Sequence, residues 1–188
     1  MTTKHALHQL IVALALCVSI PAFSADNTQQ QEQTTVLTKI QEITDRASNL
    51  VTKAVDFIGT RYKRGGNNVE QGLDCSGLVR LVFKDALNVE LPRTSLEISR
   101  TGEKIDPSEL QPGDLVFYNT LKRGFSHVGI YLGDNKFIHS PSAGGQVRIE
   151  SMELAYWKKR FNGARRINDA LNFQSRVEAA AHQINRPH

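Results

Sequence analysis

The stretch Leu73-Asp74-Cys75-Ser76-Gly77-Leu78-Val79 places a cysteine where a polar loop passes into an apolar run that ends at Leu87. The apolar residues of this run predict a helix that is buried on more than one side. Free backbone N–H groups and the positive end of the helix dipole favour a thiolate at a helix N-terminus. Cys75 is therefore a candidate nucleophile, although a cysteine in an apolar context is most often a small core residue.

Residues 1–24 have the three-part plan of a secretory signal peptide. A segment with one lysine and no acid precedes an apolar run, and Ala22 and Ser24 suit cleavage after Ser24. The run is too short for a comfortable membrane span, so we expect an exported protein with no transmembrane segment in the mature chain. A lipid anchor at Cys17 is the alternative, which the bulky Leu16 disfavours. After cleavage, Cys75 has no intramolecular disulfide partner.

The charge of the chain is mildly positive and dispersed. Removal of residues 1–24 takes away Lys4 and no acid, which lowers the formal net charge from +4 to +3. The densest basic cluster combines Lys158-Lys159-Arg160 with Arg165-Arg166. Because it has neither the stripe with interleaved aromatic residues nor the module of a nucleic-acid-binding protein, we expect no nucleic-acid partner.

Changes in composition indicate the domain organisation. Residues 25–35 are polar and rich in glutamine, which predicts a flexible linker. From Val36 to Phe57, apolar residues recur at alternating steps of four and three, which predicts a helix. This helix either packs on its own domain or mediates self-association as a short coiled coil. We assign residues 36–168 to one domain that includes the helix, and residues 169–188 to a C-terminal tail.

The second half of the domain is predicted to consist of strands. They cover Asp114–Tyr118, His127–Leu132, Lys136–His139, Gln146–Glu150 and Ala164–Ile167. Gly133-Asp134-Asn135 predicts a hairpin turn between two of them. Helices followed by a run of antiparallel strands indicate an α+β fold rather than a parallel α/β sheet.

Two histidines fall at the same end of the predicted hairpin, because His127 opens one strand and His139 closes the next. Together with Cys75 they would supply a nucleophile, a base and a group that fixes the tautomer of the base. The same three side chains would also suit zinc. The close-spaced ligand pair that usually anchors such a site is missing, so we expect no metal and no cofactor.

A series of motifs over roughly residues 50–168 resembles the NlpC-type cell-wall cysteine peptidases. The motifs are Tyr62-x-x-Gly65-Gly66, Leu73 to Val79, Leu91-Pro92-Arg93-Thr94-Ser95, Leu110-x-Pro112-Gly113-Asp114-Leu115-Val116-Phe117, His127-Val128-Gly129-Ile130-Tyr131-Leu132-Gly133 and Phe137-Ile138-His139. The segment from Tyr156 to Arg166 is similar to the closing segment of the Spr/MepS-like murein endopeptidases in particular.

The resemblance implies a papain-like fold, in which a helix that carries the nucleophile packs on a small antiparallel sheet. It also implies a thiol endopeptidase of the bacterial periplasm or cell envelope, which cleaves stem-peptide or cross-bridge bonds in peptidoglycan. Cys75 would be the nucleophile, His127 the base and later the acid, and His139 the orienting residue. The residues that would line the substrate cleft are Tyr62, Asp74, Ser76, Arg93 and Ser95.

Several alternatives stay open at this point. Asp74 would serve equally well as a helix cap, and Arg93 as part of an ordinary surface ion pair. An amidase or acyltransferase would use the same three residues on the same fold. A catalytically inactive wall-binding protein is a further alternative. Both cleavage of the cross-bridge and cleavage within one stem peptide fit the motifs.

Overall fold

The computed structural model describes residues 26–121 and 124–168. The predicted signal peptide, Cys17 and the predicted tail 169–188 lie outside them. The chain divides into one unit that ends at Thr38 and a second that begins at Lys39. The second unit contains every strand described below.

Helix α1, Asp26–Val55, is longer than the sequence predicts. It covers nearly all of residues 25–35, where a flexible linker was predicted. The hydroxyl groups of Thr34 and Thr35 donate to the carbonyl oxygens of Gln30 and Gln31, one helical turn earlier. Low hydrophobicity suggested a linker, but glutamine and glutamate are good helix formers, and their intrinsic propensity accounts for the difference.

The apolar stripe of α1 is buried over only part of its length. Leu50 and Ala54, together with Phe57 just beyond the helix, belong to the hydrophobic core. Ile40 and Ile43 are exposed. The C-terminal part of the stripe therefore packs on its own domain, and self-association through the rest of it stays a prediction.

Within the part of the chain that the structure describes, three further helices and eight strands follow α1. The helices are α2 (Cys75–Leu87), α3 (Ser95–Ile98) and α4 (Ala155–Lys158). The strands are β1 (Asn67–Asn68), β2 (Gly72–Leu73), β3 (Glu103–Ile105), β4 (Leu115–Tyr118), β5 (His127–Gly133), β6 (Lys136–His139), β7 (Arg148–Ser151) and β8 (Phe161–Arg166). A single turn of 3₁₀ helix covers Pro107–Glu109.

Six of these strands form one sheet in the order β3-β8-β4-β5-β6-β7, and every neighbouring pair is antiparallel. Strands β1 and β2 form a separate hairpin directly before α2. Helices that precede an antiparallel sheet confirm the predicted α+β class. Strands β1, β2 and β3 were not predicted, because two or three residues are too few to show an alternating pattern.

The predicted hairpin between β5 and β6 is present. Asp134 and Asn135 form its turn with φ values of 50° and 54°. Two successive residues with positive φ match the right-handed twist of the flanking strands, and asparagine and aspartate tolerate this backbone conformation well. The turn therefore fixes which residues of β5 and β6 lie opposite each other, including the two ends that carry histidines.

The sheet is covered on both faces. One face packs on α2 and contributes Leu115, Phe117, Val128, Ile130 and Ile138 to the larger core cluster. The other face packs on Trp157 of α4 and contributes Val116, Tyr118, Tyr131, Phe137 and Ala164 to a second cluster. Side chains alternate between faces along each strand, so this second, aromatic face also receives His127 and His139.

Candidate active site

Asp74 is the N-cap of α2. Its backbone is extended, with φ −85° and ψ 178°, and its Oδ1 accepts a hydrogen bond of 2.7 Å from the backbone N–H of Gly77. Such a cap satisfies one of the free N–H groups at a helix start. The predicted capping role of Asp74 is therefore confirmed, and Cys75 is the first residue of the helix.

The same carboxylate organises a polar network with Arg93 and Ser76. Arg93 Nη2 donates to Asp74 Oδ2 at 2.7 Å, and Arg93 Nη1 donates to Ser76 Oγ at 2.9 Å. Gly65 N–H donates to Asp74 Oδ2 at 3.0 Å. Burial opposes ionisation of Asp74, but hydrogen bonds from Arg93 and Gly77 outweigh it and hold the pKa of the carboxyl below its usual value. Asp74 is only 14% exposed, so this ion pair differs from an ordinary surface pair.

The thiol of Cys75 lies in a part-buried position that opposes ionisation. Burial, followed by the negative charge of Asp74, raises the pKa of Cys75 to about 11. Backbone N–H groups of Val128, Ser76 and Cys75 itself act in the opposite direction. The helix start alone suggested a thiolate, and this expectation is corrected: burial outweighs the backbone groups, and the resting thiol is protonated.

His127 and His139 form a buried, directly hydrogen-bonded pair. His127 Nε2 lies 2.8 Å from His139 Nδ1, and the two side chains come from neighbouring strands, as the hairpin predicted. Burial lowers the pKa of His127 to about 4. Burial, with the charges of His127 and Arg148, lowers the pKa of His139 to about 2. Both imidazoles are therefore neutral at neutral pH.

The cysteine and the histidine pair meet through the backbone of β5. Val128, whose N–H faces the Cys75 sulfur, directly follows His127 in the chain. Strand β5 therefore presents the backbone of one residue to the thiol and the side chain of the preceding residue to His139. Among the residues that the structure describes, no group of three or more His, Cys, Asp or Glu side chains is arranged to hold a metal ion.

Aromatic side chains enclose both histidines. The Trp157 ring stacks on His127 with centroids 5.6 Å apart and an interplanar angle of 21°. The same ring meets His139 edge to face at 5.0 Å. Phe137 packs on His139 at 4.6 Å. These contacts hold the ring planes of both histidines and bury their side chains.

Three residues that sequence reasoning missed form a hydrogen-bonded group beside the outer nitrogen of His139. Glu150 Oε2 lies 3.5 Å from His139 Nε2. Arg148 Nε donates to Glu150 Oε1 at 2.5 Å, and Trp157 Nε1 donates to Glu150 Oε2. Arg148 and Glu150 alternate along β7, so they point to the same face as His139 on β6. The spacing of Arg148 and Glu150 by two residues was visible in the sequence, but it could be connected with His139 only if the register of β7 against β6 was known.

The remaining predicted residues lie at two different places. The backbone N–H of Tyr62 donates to Gly145 at 2.6 Å. Burial raises the pKa of Tyr62, and the ionised form of Cys75 and the Asp74 carboxylate raise it further. An isolated bridge pairs Tyr62 with Leu73, two residues before Cys75, so Tyr62 belongs to the cysteine side of the site. Ser95 Oγ instead donates to the carbonyl oxygen of Phe125 at 2.7 Å. Ser95 therefore ties α3 to the loop before β5 and has no described hydrogen bond to another predicted site residue.

Comparison with known proteins identifies the fold and its family. The model of the NlpC/P60 family matches residues 59–166, more than half of the 188-residue chain. This chain belongs to the NlpC/P60 family. The fold agrees with this assignment: a crystal structure of an NlpC/P60 family protein from Bacillus cereus ATCC 10987 superimposes with a TM-score of 0.60 at 34% identity, over 64% of this chain and 39% of that one. The papain-like α+β fold is thereby confirmed.

Two curated relatives from Escherichia coli (strain K12) narrow the resemblance within the family. The protein named murein DD-endopeptidase MepS/murein LD-carboxypeptidase is 36% identical over 173 residues, which cover 84% of this chain and 90% of the relative. Murein DD-endopeptidase MepH is 42% identical over 132 residues, which cover 69% of this chain and 48% of the relative. The predicted resemblance to Spr/MepS-like proteins is confirmed.

Within residues 26–121 and 124–168, none of the helices has both the length and the apolar character that crossing a membrane requires.

Proposed function

We propose that this chain is a peptidoglycan peptide hydrolase of the bacterial cell envelope, a thiol endopeptidase that uses Cys75, His127 and His139. The observation that carries the proposal is the buried His127–His139 pair, in which His127 Nε2 lies 2.8 Å from His139 Nδ1. The residue that follows His127 on β5 is Val128, whose backbone N–H faces the Cys75 sulfur. Family membership and the murein endopeptidase relatives support the choice of substrate. Their activity at the cell wall also supports the envelope as the location.

The protonation states favour a mechanism in which proton transfer accompanies attack. In the resting site the thiol is protonated and His127 is neutral. As Cys75 Sγ bonds to the carbonyl carbon of the scissile peptide, its proton passes to His127, which acts as general base. The imidazolium then gives this proton to the leaving amine, which departs and leaves an acyl-enzyme. A water molecule, deprotonated by His127, hydrolyses the thioester and regenerates the thiol.

Backbone N–H groups at the start of α2 supply the donors for the tetrahedral oxyanion. The Cys75 and Ser76 amides belong to the first turn of the helix, where backbone N–H groups have no partner within the helix. Asp74 caps Gly77, one residue further on, and so leaves these two amides to the site. Amides fixed by a helix stabilise developing negative charge without rearrangement.

The polar network on the cysteine side is proposed to recognise the ends of the stem peptide. Stem peptides present carboxylates and amines, which suit charge-assisted hydrogen bonds. Asp74 already accepts from Arg93, Gly65 and Gly77, so its role is to hold Arg93 and the glycine loop in place. Arg93 and Tyr62 are the proposed direct contacts, with Ser76 between them and the nucleophile, and Ser95 contributes by holding the loop before β5.

The cross-bridge is the proposed target bond, because both curated relatives above are named DD-endopeptidases. The test is digestion of defined cross-linked muropeptides by the purified protein, with products read by liquid chromatography and mass spectrometry. We expect cross-linked dimers to yield monomers. Peptides shortened within one stem would show that the cleaved bond lies inside a single stem peptide and not in the cross-bridge. Release of whole stem peptides from the sugar would indicate an amidase, and adducts would indicate an acyltransferase.

The Cys75→Ala variant decides whether the proposed nucleophile is used. We expect a loss of activity of at least about 10³-fold, because removal of a nucleophile leaves only binding and oxyanion stabilisation. Cys75→Ser keeps the size of the side chain and serves as the matched control for packing, with circular dichroism to verify the fold. Full activity of Cys75→Ala, or binding of murein without cleavage by the wild-type protein, would overturn the proposal.

A further inference from the structure

The outer nitrogen of His139 has one polar neighbour. His139 is fully buried, and its Nε2 makes no hydrogen bond within the described residues; the Glu150 carboxylate faces it at 3.5 Å, an ion-pair distance. A buried polar atom without a partner costs free energy, so the placement of a carboxylate opposite it has a consequence for which nitrogen carries the proton.

The contact between the two histidines allows two tautomer assignments. A neutral imidazole carries one proton, so either His127 Nε2–H donates to His139 Nδ1, or His139 Nδ1–H donates to His127 Nε2. In the first assignment His127 Nδ1 has a free lone pair, and His139 carries its proton on Nε2. In the second, His127 Nδ1 is protonated, so that His127 has no lone pair with which to accept a proton from a thiol.

We propose that Glu150 is a positioning residue that selects the first assignment by accepting the Nε2–H of His139. In the second assignment a bare His139 nitrogen would face a carboxylate, and the two lone pairs would repel. Glu150 thereby acts through His139 to keep His127 Nδ1 free as the base. The inference rests on the proposed function, since it describes how the same site is kept ready for proton transfer.

Two donors fix the Glu150 carboxylate in this role. Arg148 Nε holds Oε1 at 2.5 Å, and the Trp157 indole N–H holds Oε2. Arg148 is itself held by the carbonyl oxygen of Ala143, 2.9 Å from Nη1. The charged or titratable groups that face Glu150 are thus Arg148, His139 and the phenol of Tyr118, whose pKa is raised by burial and by Glu150.

Trp157 connects this arrangement to the rings that it orients. Its ring stacks on His127 while its indole nitrogen binds Glu150. An ordinary surface ion pair with Arg148 would involve only the guanidinium. The additional hydrogen bond from the Trp157 indole instead holds the Glu150 carboxylate next to the two histidines. The side chain of Glu150 is only 19% exposed, which keeps the contact with His139 free of competing water.

The experiment compares Glu150→Ala and Glu150→Gln with Glu153→Gln in the full chain. Glu153 is the matched control, since it lies three residues away and pairs with Lys158 at an exposed position. The first readout is the ¹⁵N spectrum of histidine-labelled protein, which distinguishes the two tautomers and needs no substrate. We expect the Nε2–H form of His139 in the wild type and in Glu153→Gln. Both Glu150 variants should lose this preference, because alanine has no acceptor, and the Arg148 guanidinium should hold the amide oxygen of glutamine and leave its NH2 group toward His139.

The second readout is the kinetics of muropeptide cleavage. We expect a fall in kcat of about 10- to 100-fold in the Glu150 variants, with little change in KM. This is less than the roughly 10⁴-fold cost of removing an orienting residue that touches the base directly. In a His139→Ala background, Glu150→Ala should have no further effect, because the two residues act as one unit. If Glu150 had only a structural role, Glu150→Ala would lower the melting temperature and leave the His139 tautomer unchanged. It would then also have the same effect on kcat in the His139→Ala background as in the wild type.

The outcomes separate this inference from the proposed function. Wild-type His139 in the Nδ1–H form, or Glu150 variants with unchanged tautomer and kcat, would overturn the role of Glu150 while cleavage itself continued. A protein that cleaves no muropeptide, but whose His139 tautomer depends on Glu150, would overturn the proposed function and leave the role of Glu150 standing. If Glu150→Ala fails to fold, the nearly isosteric Glu150→Gln decides.

Discussion

The two halves of the candidate site are built in different ways. On the cysteine side, the four residues from Asp74 to Gly77 supply the helix cap, the thiol and the free amides, and Arg93 closes the network from a part-exposed position. On the histidine side, β5, β6, β7 and α4 each contribute a side chain to a buried aromatic layer. The first half depends on local helix geometry and the second on strand register. Substitutions in the two halves should therefore affect activity and stability in different ways.

The largest expected effect is loss of the base on the histidine side. His127→Ala should lower kcat/KM on cross-linked muropeptides by about 10⁴-fold or more, since nucleophile and base act as a unit. His139→Gln should cost less, because its amide oxygen can still accept the His127 Nε2–H. Steady-state kinetics with both variants check the order. A His127→Ala variant that is more active than His139→Gln would contradict the assigned roles.

The second prediction concerns the thiol and separates burial from helix-end effects. With the pKa of Cys75 at about 11, its thiolate fraction at pH 7 should be roughly 300-fold below that of a free thiol with a pKa near 8.5. Alkylation by iodoacetamide, followed by mass spectrometry, should accelerate steadily from pH 6 to pH 10. N-acetylcysteine run in parallel provides the reference. A plateau at or below pH 8.5 would show that the helix start and the imidazole dominate over burial.

The contrast between the halves also explains how far the sequence could be interpreted. The cap at Asp74 and the helix at Cys75 were predictable because their contacts span three residues. The His127–His139 contact was predictable because a two-residue turn fixes the register of β5 and β6. Glu150 was not, since eight residues separate β6 from β7, and nothing in that loop indicates that His139 lies opposite Arg148. The high pKa of Cys75 depends on burial by distant residues, which helix position does not reveal.

The third prediction compares one glycine from each half. A Cβ at Gly77 would lie 2.1 Å from the carbonyl oxygen of Gly66, whereas one at Gly129 would lie 2.7 Å from that of Ile138. Gly77→Ala should therefore lower the free energy of unfolding by about 3 kcal/mol and Gly129→Ala by about 1–2 kcal/mol, as overpacking does. Urea unfolding followed by circular dichroism measures both. Equal losses would mean that the loop at Gly66 yields as readily as the sheet.

The last prediction concerns the acid side of the stability curve and isolates the charge of Asp74 from its cap. Asp74→Asn keeps an oxygen for the Gly77 N–H but loses the ion pair with Arg93, whereas Asp74→Ala loses both. At pH 7 we expect losses of about 1–2 kcal/mol for the asparagine and about 2–4 kcal/mol for the alanine variant.

The pH dependence of this difference follows from the lowered pKa of Asp74. A carboxyl with a lower pKa in the folded state binds fewer protons there, so its stabilisation is complete above the unfolded pKa of 3.8 and is lost as the pH falls through the folded pKa. The gap between wild type and Asp74→Asn should thus be constant from pH 7 to about pH 5 and shrink below pH 3.8. The gap between wild type and His139→Gln should instead narrow already as the pH falls below 6.5, because the unfolded imidazole takes up a proton that buried His139 does not bind. A gap for Asp74→Asn that is unchanged at pH 3 would mean that Arg93 and Asp74 stabilise the fold through packing rather than charge.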